Sequence, residues 1–419
     1  MINYLAGIFR RYHFARQIYR VLKGIDSTYS IPQTAPIEVK PSRHEFNRLN
    51  LVIPSINREH FFGGAATALH LFNALLDVDQ RLQARIILTD ATPDKQDLER
   101  FPDYRLIRPD DDSDHRRQML PAVSKYQRTI FTGPGDRFLA TSWWTAFSVL
   151  RMINNQVALY GNGCRKMGYM IQDFEPGFYN WSTHYALAES TYRSEIQTIP
   201  IFNSKYLKDY FDRSGYTFPH EFVFDPRLNV KLKEYLPSLN KYRRERKILI
   251  YGRPSVARNC FNLIVEGLKI WAGRQPDASR WELISVGESH KTISIGPDIS
   301  IRSLGKLSLE EYAECMLKGA VGISLMLSPH PSYPPLEMAH FGLLTLTNSF
   351  AGKNLSSCHE NIYSIDDLTP DRLAEALAFQ TAKFDQDPQA GPRGKSLMTS
   401  YLSDKDIFPF AGALYRHLF

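Results

Sequence analysis

The sequence predicts an α/β protein built from two Rossmann-like domains, each an open parallel sheet flanked by helices. Three observations carry that expectation. The chain has 419 residues, more than one hydrophobic core usually fills. Short apolar runs alternate with helical periods along both halves. Between the two series lies a polar, basic stretch at 225–246 that holds Pro226 and Pro237 and no sustained period. Hydrophobic residues make up 43% of the chain, enough for two cores and too many for a disordered protein.

In chain order, residues 1–24 follow a helical period. Leu5, Ile8, Tyr12, Ala15, Tyr19 and Leu22 form one stripe, and Arg10, His13, Gln17 and Arg20 gather opposite. Such a basic amphipathic helix suits either an anionic membrane surface or a docking place on the protein itself. Residues 25–47, with several Pro and Ser, read as an extended connector. Leu49–Pro54 reads as a buried strand. A loop ending in Gly63-Gly64 leads to a helix with Ala65, Leu69, Phe72, Leu75 and Leu76 on one face. Further strands are expected at 84–90, 128–132, 167–171 and 198–202. The first domain is placed at 25–235.

The second, at 236–395, opens with the strand Lys247–Gly252 and a helix bearing Phe261, Ile264, Val265, Leu268 and Ala272. Then come a strand at 281–286, a helix with Leu309, Tyr312, Ala313, Met316 and Leu317, and a strand at 320–326. A helix near 335–341 and a strand at 343–347 follow. The aromatic segment 396–419 is read as a helix that packs back across the first domain.

Several function classes are excluded or disfavoured. The net charge of +7 suits a phosphorylated small ligand or an anionic membrane and is too weak to imply nucleic acid. Cys164, Cys260, Cys315 and Cys358 form no CxxC pair, which disfavours a zinc ribbon or a disulfide framework and favours a reducing, cytoplasmic location. No apolar run approaches the ~20 residues a membrane span needs, and no signal peptide is read. Neither half holds GxGxxG followed by an acid, a Walker loop or HExxH.

Ligands of Rossmann-like halves bind beyond the carboxyl ends of the strands. There the second half presents Gly252-Arg253 and, five residues on, Arg258. Two guanidiniums at a strand-to-helix turn suit a bidentate grip on a diphosphate; the alternative is a pair of solvated surface arginines. The segment 328–339 runs through Pro334-Pro335 into a helix, with the backbone N–H groups of Ser332 and Tyr333 available to a phosphate. Glu337 is placed to accept from a sugar hydroxyl, or serves simply as a first-turn acid. In the first half, Gly63 and Gly64 mark either a close ligand approach or a tight turn. Gln172, Asp173 and Glu175 follow a strand. Their carboxylates either orient an acceptor hydroxyl or cap the next helix. Trp143, Trp144, Phe178, Tyr179 and Trp181 suit sugar stacking or core packing.

Three strings now carry a resemblance: G-R-x4-R at 252–258, G-K-L-S-x-E-E-Y at 305–312, and P-P-L-E-M-A-H-F-G-L-L-T-L-T at 334–347. They resemble the donor half of GT-B glycosyltransferases of family 4, over about 245–400. The strings R-P-S-x-A-R-N and S-Y-P-P-L-E narrow the likeness to the dTDP-rhamnosyltransferases of the WsaF type, which build bacterial surface glycans. The resemblance implies a cleft between two facing domains. It implies that Arg253 and Arg258 grip the donor diphosphate and that Glu337 binds the nucleotide's sugar hydroxyls. Val286-Gly287 would line the nucleotide, and Lys306 would stand near the base. The first acid of the family's E-x7-E pair is missing, since Pro329 stands there. Gly63, Gly64, Gln172, Asp173 and Glu175 fall on the acceptor side. The expected reaction is transfer of a hexose, L-rhamnose from dTDP-L-rhamnose, to a growing glycan that is free or lipid-linked, with retention and without metal or cofactor. Asp173 and Arg253 are its candidate catalytic residues. A sugar-nucleotide 2-epimerase and a catalytically silent binding subunit remain the rivals.

Overall fold

The computed structural model describes residues 31–57, 63–123, 128–161 and 165–419. The helix expected at 1–24 lies outside them. The strands of the first half are β1 (Glu38–Pro41), β2 (Arg48–Ile53), β3 (Gln83–Leu88), β4 (Arg105–Leu106), β5 (Arg117–Pro121), β6 (Thr129–Thr132), β7 (Asp136–Ala140), β8 (Lys166–Ile171), β9 (Gln197–Phe202) and β10 (Phe222–Val223). Those of the second half are β11 (Lys247–Gly252), β12 (Glu282–Gly287), β13 (Ile293–Gly296), β14 (Ile299–Gly305), β15 (Val321–Ile323), β16 (Leu344–Asn348) and β17 (Ile362–Ile365).

One sheet has eight strands in the order β10-β9-β8-β7-β2-β3-β5-β4, and the other has seven in the order β13-β14-β12-β11-β15-β16-β17. In the second sheet only β13 runs antiparallel to its neighbour. Two compact units divide the chain: residues 1–72 with 79–167, and residues 73–78 with 168–419.

The strands predicted from apolar runs are present, with ends shifted by at most three residues. The connector read at 25–47 holds a strand as well. β1 pairs in parallel with β6 as a separate two-stranded sheet, so the strand expected at 128–132 belongs to that small pair. β1 is mostly exposed and carries no apolar alternation, so nothing in its sequence marks it.

In the second unit the side chains of β11 alternate between two cores. Ile248 and Ile250 pack with Phe261, Ile264 and Leu268 of the helix Phe261–Arg274 and with Leu373 and Leu377 of the helix Pro370–Gln386. Leu249 faces the other way, towards Met316 and Leu317 of the helix Leu309–Lys318 and Leu336 and Met338 of the helix Pro334–His340. Each such buried aliphatic side chain stabilises the fold by about 1.5–3 kcal/mol. The period-two pattern of a strand covered on both faces thereby fixes what emerges at its carboxyl end. No helix among the described residues is long and apolar enough to cross a membrane.

Candidate functional site

β11 ends on Gly252, where a Cβ would lie 2.7 Å from the Phe261 ring and also run into the Ser285 hydroxyl. Only glycine lets the chain turn out of the sheet there, and Arg253 follows at the carboxyl end. The neighbouring strand β12 ends on Gly287 at φ +116°, a backbone region that side chains avoid. A Cβ at Gly287 would stand 3.3 Å from Arg253 Cγ, so the glycine leaves room for the arginine's stem. Arg253 is half-buried and forms no ion pair among the described residues. Val286, which precedes Gly287, is buried in the core.

Beyond Arg253 the chain makes two tight turns, one closed by the Val256 N–H on the Arg253 carbonyl at 3.0 Å and one at Ala257–Asn259, before the helix that starts at Phe261. Two bonds tie this turn to the loop after β15: Asn259 Nδ2 donates to the Leu325 carbonyl at 3.2 Å, and the Leu327 N–H donates to the Arg258 carbonyl at 2.8 Å. The side chain of Arg258 is then aimed at the loop after β8. Its Nη1 donates to Asp173 Oδ2 at 2.7 Å, and its guanidinium carbon stands 3.9 Å from the centre of the Phe178 ring.

Asp173 is buried and gathers further donors. The Phe174 N–H donates to Oδ1 at 2.8 Å, and the Ser328 hydroxyl donates to the same oxygen. Ser328 Oγ in turn accepts the His330 N–H at 3.0 Å. Ser332 adopts φ +68°, and its N–H donates to His330 Nδ1 at 3.0 Å. The buried Lys353 reaches beneath this loop, donating to the Met326 carbonyl at 2.9 Å and the His330 carbonyl at 3.4 Å. Burial pushes the Lys353 ammonium down to about 7 and the His330 imidazole down to about 4.

A second cluster surrounds Glu337, the fourth residue of the helix Pro334–His340. The phenols of Tyr251, Tyr312, Tyr333 and Tyr401 all lie within electrostatic reach of its carboxyl. Burial raises that carboxyl to about 7. A carboxyl ringed by phenols is well made for hydroxyl partners, because every neighbour can donate as well as accept.

Of the residues singled out from sequence, Arg258, Asp173 and the loop holding Ser332 and Tyr333 come together. Arg253 stands near Glu337 through Tyr251, whose phenol both of their charges influence. Lys306 is exposed just after Gly305 at the end of β14. Gln172 is half-buried and offers its carbonyl to Asn203 Nδ2 at 3.0 Å. Glu175 turns inwards, with Oε2 3.4 Å from the Tyr169 hydroxyl and its backbone N–H on Tyr192, and so braces the loop under Asp173. Gly63 and Gly64 lie in the first unit, at the start of the helix Gly64–Val78. Trp143 is wholly buried core, while Trp181 is 90% exposed and stacks on Tyr185. Sequence reasoning missed Ser328 and His330 as site members although it quoted their segment. It missed Lys353 and Tyr401 altogether.

A family model described as the N-terminal domain of WsaF matches residues 48–205, and one described as the C-terminal domain of WsaF matches 246–378. An O-antigen biosynthesis protein, RfbC of Myxococcus xanthus, is 30% identical over 214 residues. That stretch is 51% of this chain, and the chain spans only 15% of that curated relative's length. Among solved structures, TarM aligns with a TM-score of 0.59 at 7% identity over 89% of this chain and 99% of its own. HepE of Anabaena in complex with UDP aligns with a TM-score of 0.53 at 13% identity, covering 89% and 96%. A sucrose-phosphate synthase of Thermosynechococcus elongatus gives 0.52 at 14% identity, covering 89% and 95%. At these identities the likeness is one of fold, and that fold is GT-B.

Proposed function

Because the chain belongs to the WsaF family of GT-B glycosyltransferases, we propose that it moves a hexose, L-rhamnose from dTDP-L-rhamnose, to a hydroxyl of a growing bacterial surface glycan. The observation that carries this reading is the meeting of Arg258 and Asp173 at the carboxyl end of β11, with Arg253, which forms no ion pair among the described residues, five residues before Arg258. Two cations there match the two charges of a diphosphate, and a carboxylate beside them suits a sugar or acceptor hydroxyl. The likeness to the Myxococcus O-antigen biosynthesis protein supports glycan assembly, and the UDP bound to HepE supports a nucleotide-sugar donor.

In the proposed reaction the bond from the anomeric carbon to the diphosphate oxygen breaks as the acceptor hydroxyl attacks the same face, which retains configuration. The departing phosphate oxygen takes the acceptor's proton. Arg253 and Arg258 neutralise the developing charge without a resident metal. Asp173 orients the acceptor hydroxyl. Glu337 and its phenols receive the hydroxyl of the nucleotide's pentose, and Lys306 and Gly287 border the nucleotide. The acceptor is a glycan, free or lipid-linked, reached from the cytoplasmic side. Residues 1–24 would rest on the anionic membrane, so deleting them should weaken binding to phosphatidylglycerol-containing liposomes and spare transfer to a soluble acceptor.

Incubating the purified full chain with dTDP-L-rhamnose and a glycan acceptor should release dTDP and add one deoxyhexose to the acceptor. Donor alone should keep its sugar configuration, in contrast to a 2-epimerase. If none of dTDP-L-rhamnose, UDP-glucose and GDP-mannose is consumed or raises Tm, the proposal is wrong.

A further inference from the structure

The geometry points to His330 as the group that holds the transferred sugar: we propose that its Nε2–H donates a hydrogen bond to an oxygen of the donor's hexose. This rests on the glycosyl-transfer reading above and addresses what that reading leaves open, since Pro329 stands where the resemblance calls for an acid.

Three observations carry it. First, the tautomer is set locally. The left-handed backbone at Ser332 turns its N–H onto His330 Nδ1 at 3.0 Å, so Nδ1 is an acceptor and the ring proton sits on Nε2. Second, that nitrogen is buried and has no hydrogen-bond partner among the described residues, in a side chain only 9% exposed overall. Buried donors are almost always satisfied, and an orphan is destabilising enough to need a reason. Third, the loop that holds the ring is over-determined. Ser328 takes the His330 N–H and gives its own proton to Asp173, and Lys353 holds the carbonyls of Met326 and His330. The loop thus fixes a single neutral N–H next to the residues assigned to the donor.

The chemistry favours a sugar over the phosphates. The electrostatic neighbours of the ring are Asp173, Lys353 and Arg258, one acceptor of protons and two cations. A neutral imidazole adds no charge for an anion that Arg253 and Arg258 already serve. A hydroxyl can accept from Nε2 while donating towards Asp173, so a polyhydroxy ring satisfies both at once. Because the ring is enclosed, the proposal includes a local opening: Arg258 leaves Asp173 for the diphosphate, and the loop parts enough for one oxygen to reach Nε2.

The test separates sugar from nucleotide. Binding of dTDP-L-rhamnose and of dTDP alone is measured by calorimetry on the wild type, on H330F, which keeps a ring without the donor, and on H330Q, which keeps a donor. We expect H330F to weaken the nucleotide sugar about tenfold and to leave dTDP within about twofold of wild type, with H330Q recovering most of the loss. Equal weakening of both ligands, or of neither, would overturn the inference, and H330L makes the same comparison should H330F not fold. A wild type that binds none of dTDP-L-rhamnose, UDP-glucose and GDP-mannose would remove the donor reading and this inference together. A wild type that binds one of them as tightly as H330F does would remove this inference alone.

Discussion

Two buried polar clusters, one in each unit, use the same kinds of residue to opposite effect. In the first unit Arg48 and Arg85 share Asp136. Arg48 Nε donates to Oδ1 at 2.6 Å and Nη2 to Oδ2 at 2.9 Å, while Arg85 Nη2 reaches Oδ1 at 3.3 Å. Asn50, Gln118 and the Phe131 carbonyl take the remaining valences. All three ionic side chains are at most 2% exposed. Burial and the neighbouring Arg48 push the Arg85 guanidinium down to about 9. Burial alone would raise the Asp136 carboxyl, yet the two arginines hold it below its usual value. In the second unit Asp173 meets Arg258, but the side chain of Arg258 is 26% exposed, and among the described residues Arg253 forms no ion pair and His330 Nε2 has no hydrogen-bond partner. Position in the sheet explains the contrast. Arg48 and Asp136 begin their strands, whereas Arg253, Arg258 and Asp173 follow the ends of theirs. At the amino end a network can close on itself and only hold the fold. At the carboxyl end the network stays open, which is where ligands of such sheets bind.

That contrast can be broken in four ways. The largest effect is expected at the closed cluster. Asp136→Ala leaves two buried guanidiniums unpaired and should lower stability by about 3–5 kcal/mol in urea unfolding, with little change in kcat/KM for whatever stays folded. A milder loss would mean that the cluster is wetter than its burial implies. Arg253→Ala should do the reverse, removing about 2–4 kcal/mol of transition-state stabilisation while Tm stays near wild type; an unchanged kcat/KM takes Arg253 out of the mechanism. Ser328→Ala should affect both properties, with at most about 1.5 kcal/mol of stability lost, because Asp173 keeps Arg258 and the Phe174 N–H. Equal transfer rates in that variant would detach the loop from the chemistry.

The smallest effect is a slope. The Glu337 carboxyl, raised to about 7 by burial, binds its proton more tightly folded than unfolded. Its contribution to stability is therefore complete below the ordinary carboxyl range and is lost as pH rises through about 7. Between about pH 4.5 and 7.5 the wild type should lose stability relative to Glu337→Gln. Parallel curves would mean that the carboxyl is solvated.

The sequence was most informative where local pattern and structure coincide. β11 and the start of the helix Pro334–His340 could be read from an unbroken apolar run and a Pro-Pro step, because those signals arise within a few residues. Arg253, Arg258, Asp173 and Glu337 could be found because each follows such an element. Ser328 could not be paired with Asp173, 155 residues away, since no local period reports a contact at that separation. Lys353 was hidden in a loop whose composition gives no hint that its ammonium turns inwards. Arg48 stands beside and Arg85 inside a run read as a strand, whereas Asp136 opens β7, which no run marked, so only the assembled sheet brings the three charges together.

Tyr401 carries a practical consequence. It is 1% exposed, lies 4.4 Å from the His340 ring, and is anchored through its carbonyl by the Leu228 N–H at 3.0 Å. The wall beside Glu337 is therefore supplied by residues that leave the ribosome after every strand has been made. A chain shortened before this residue would retain the residues of every strand yet lack one side of the proposed nucleotide seat. Tail deletions and bulky carboxy-terminal tags should accordingly mimic substitutions around Glu337, and expression vectors for this protein are better tagged at the other end.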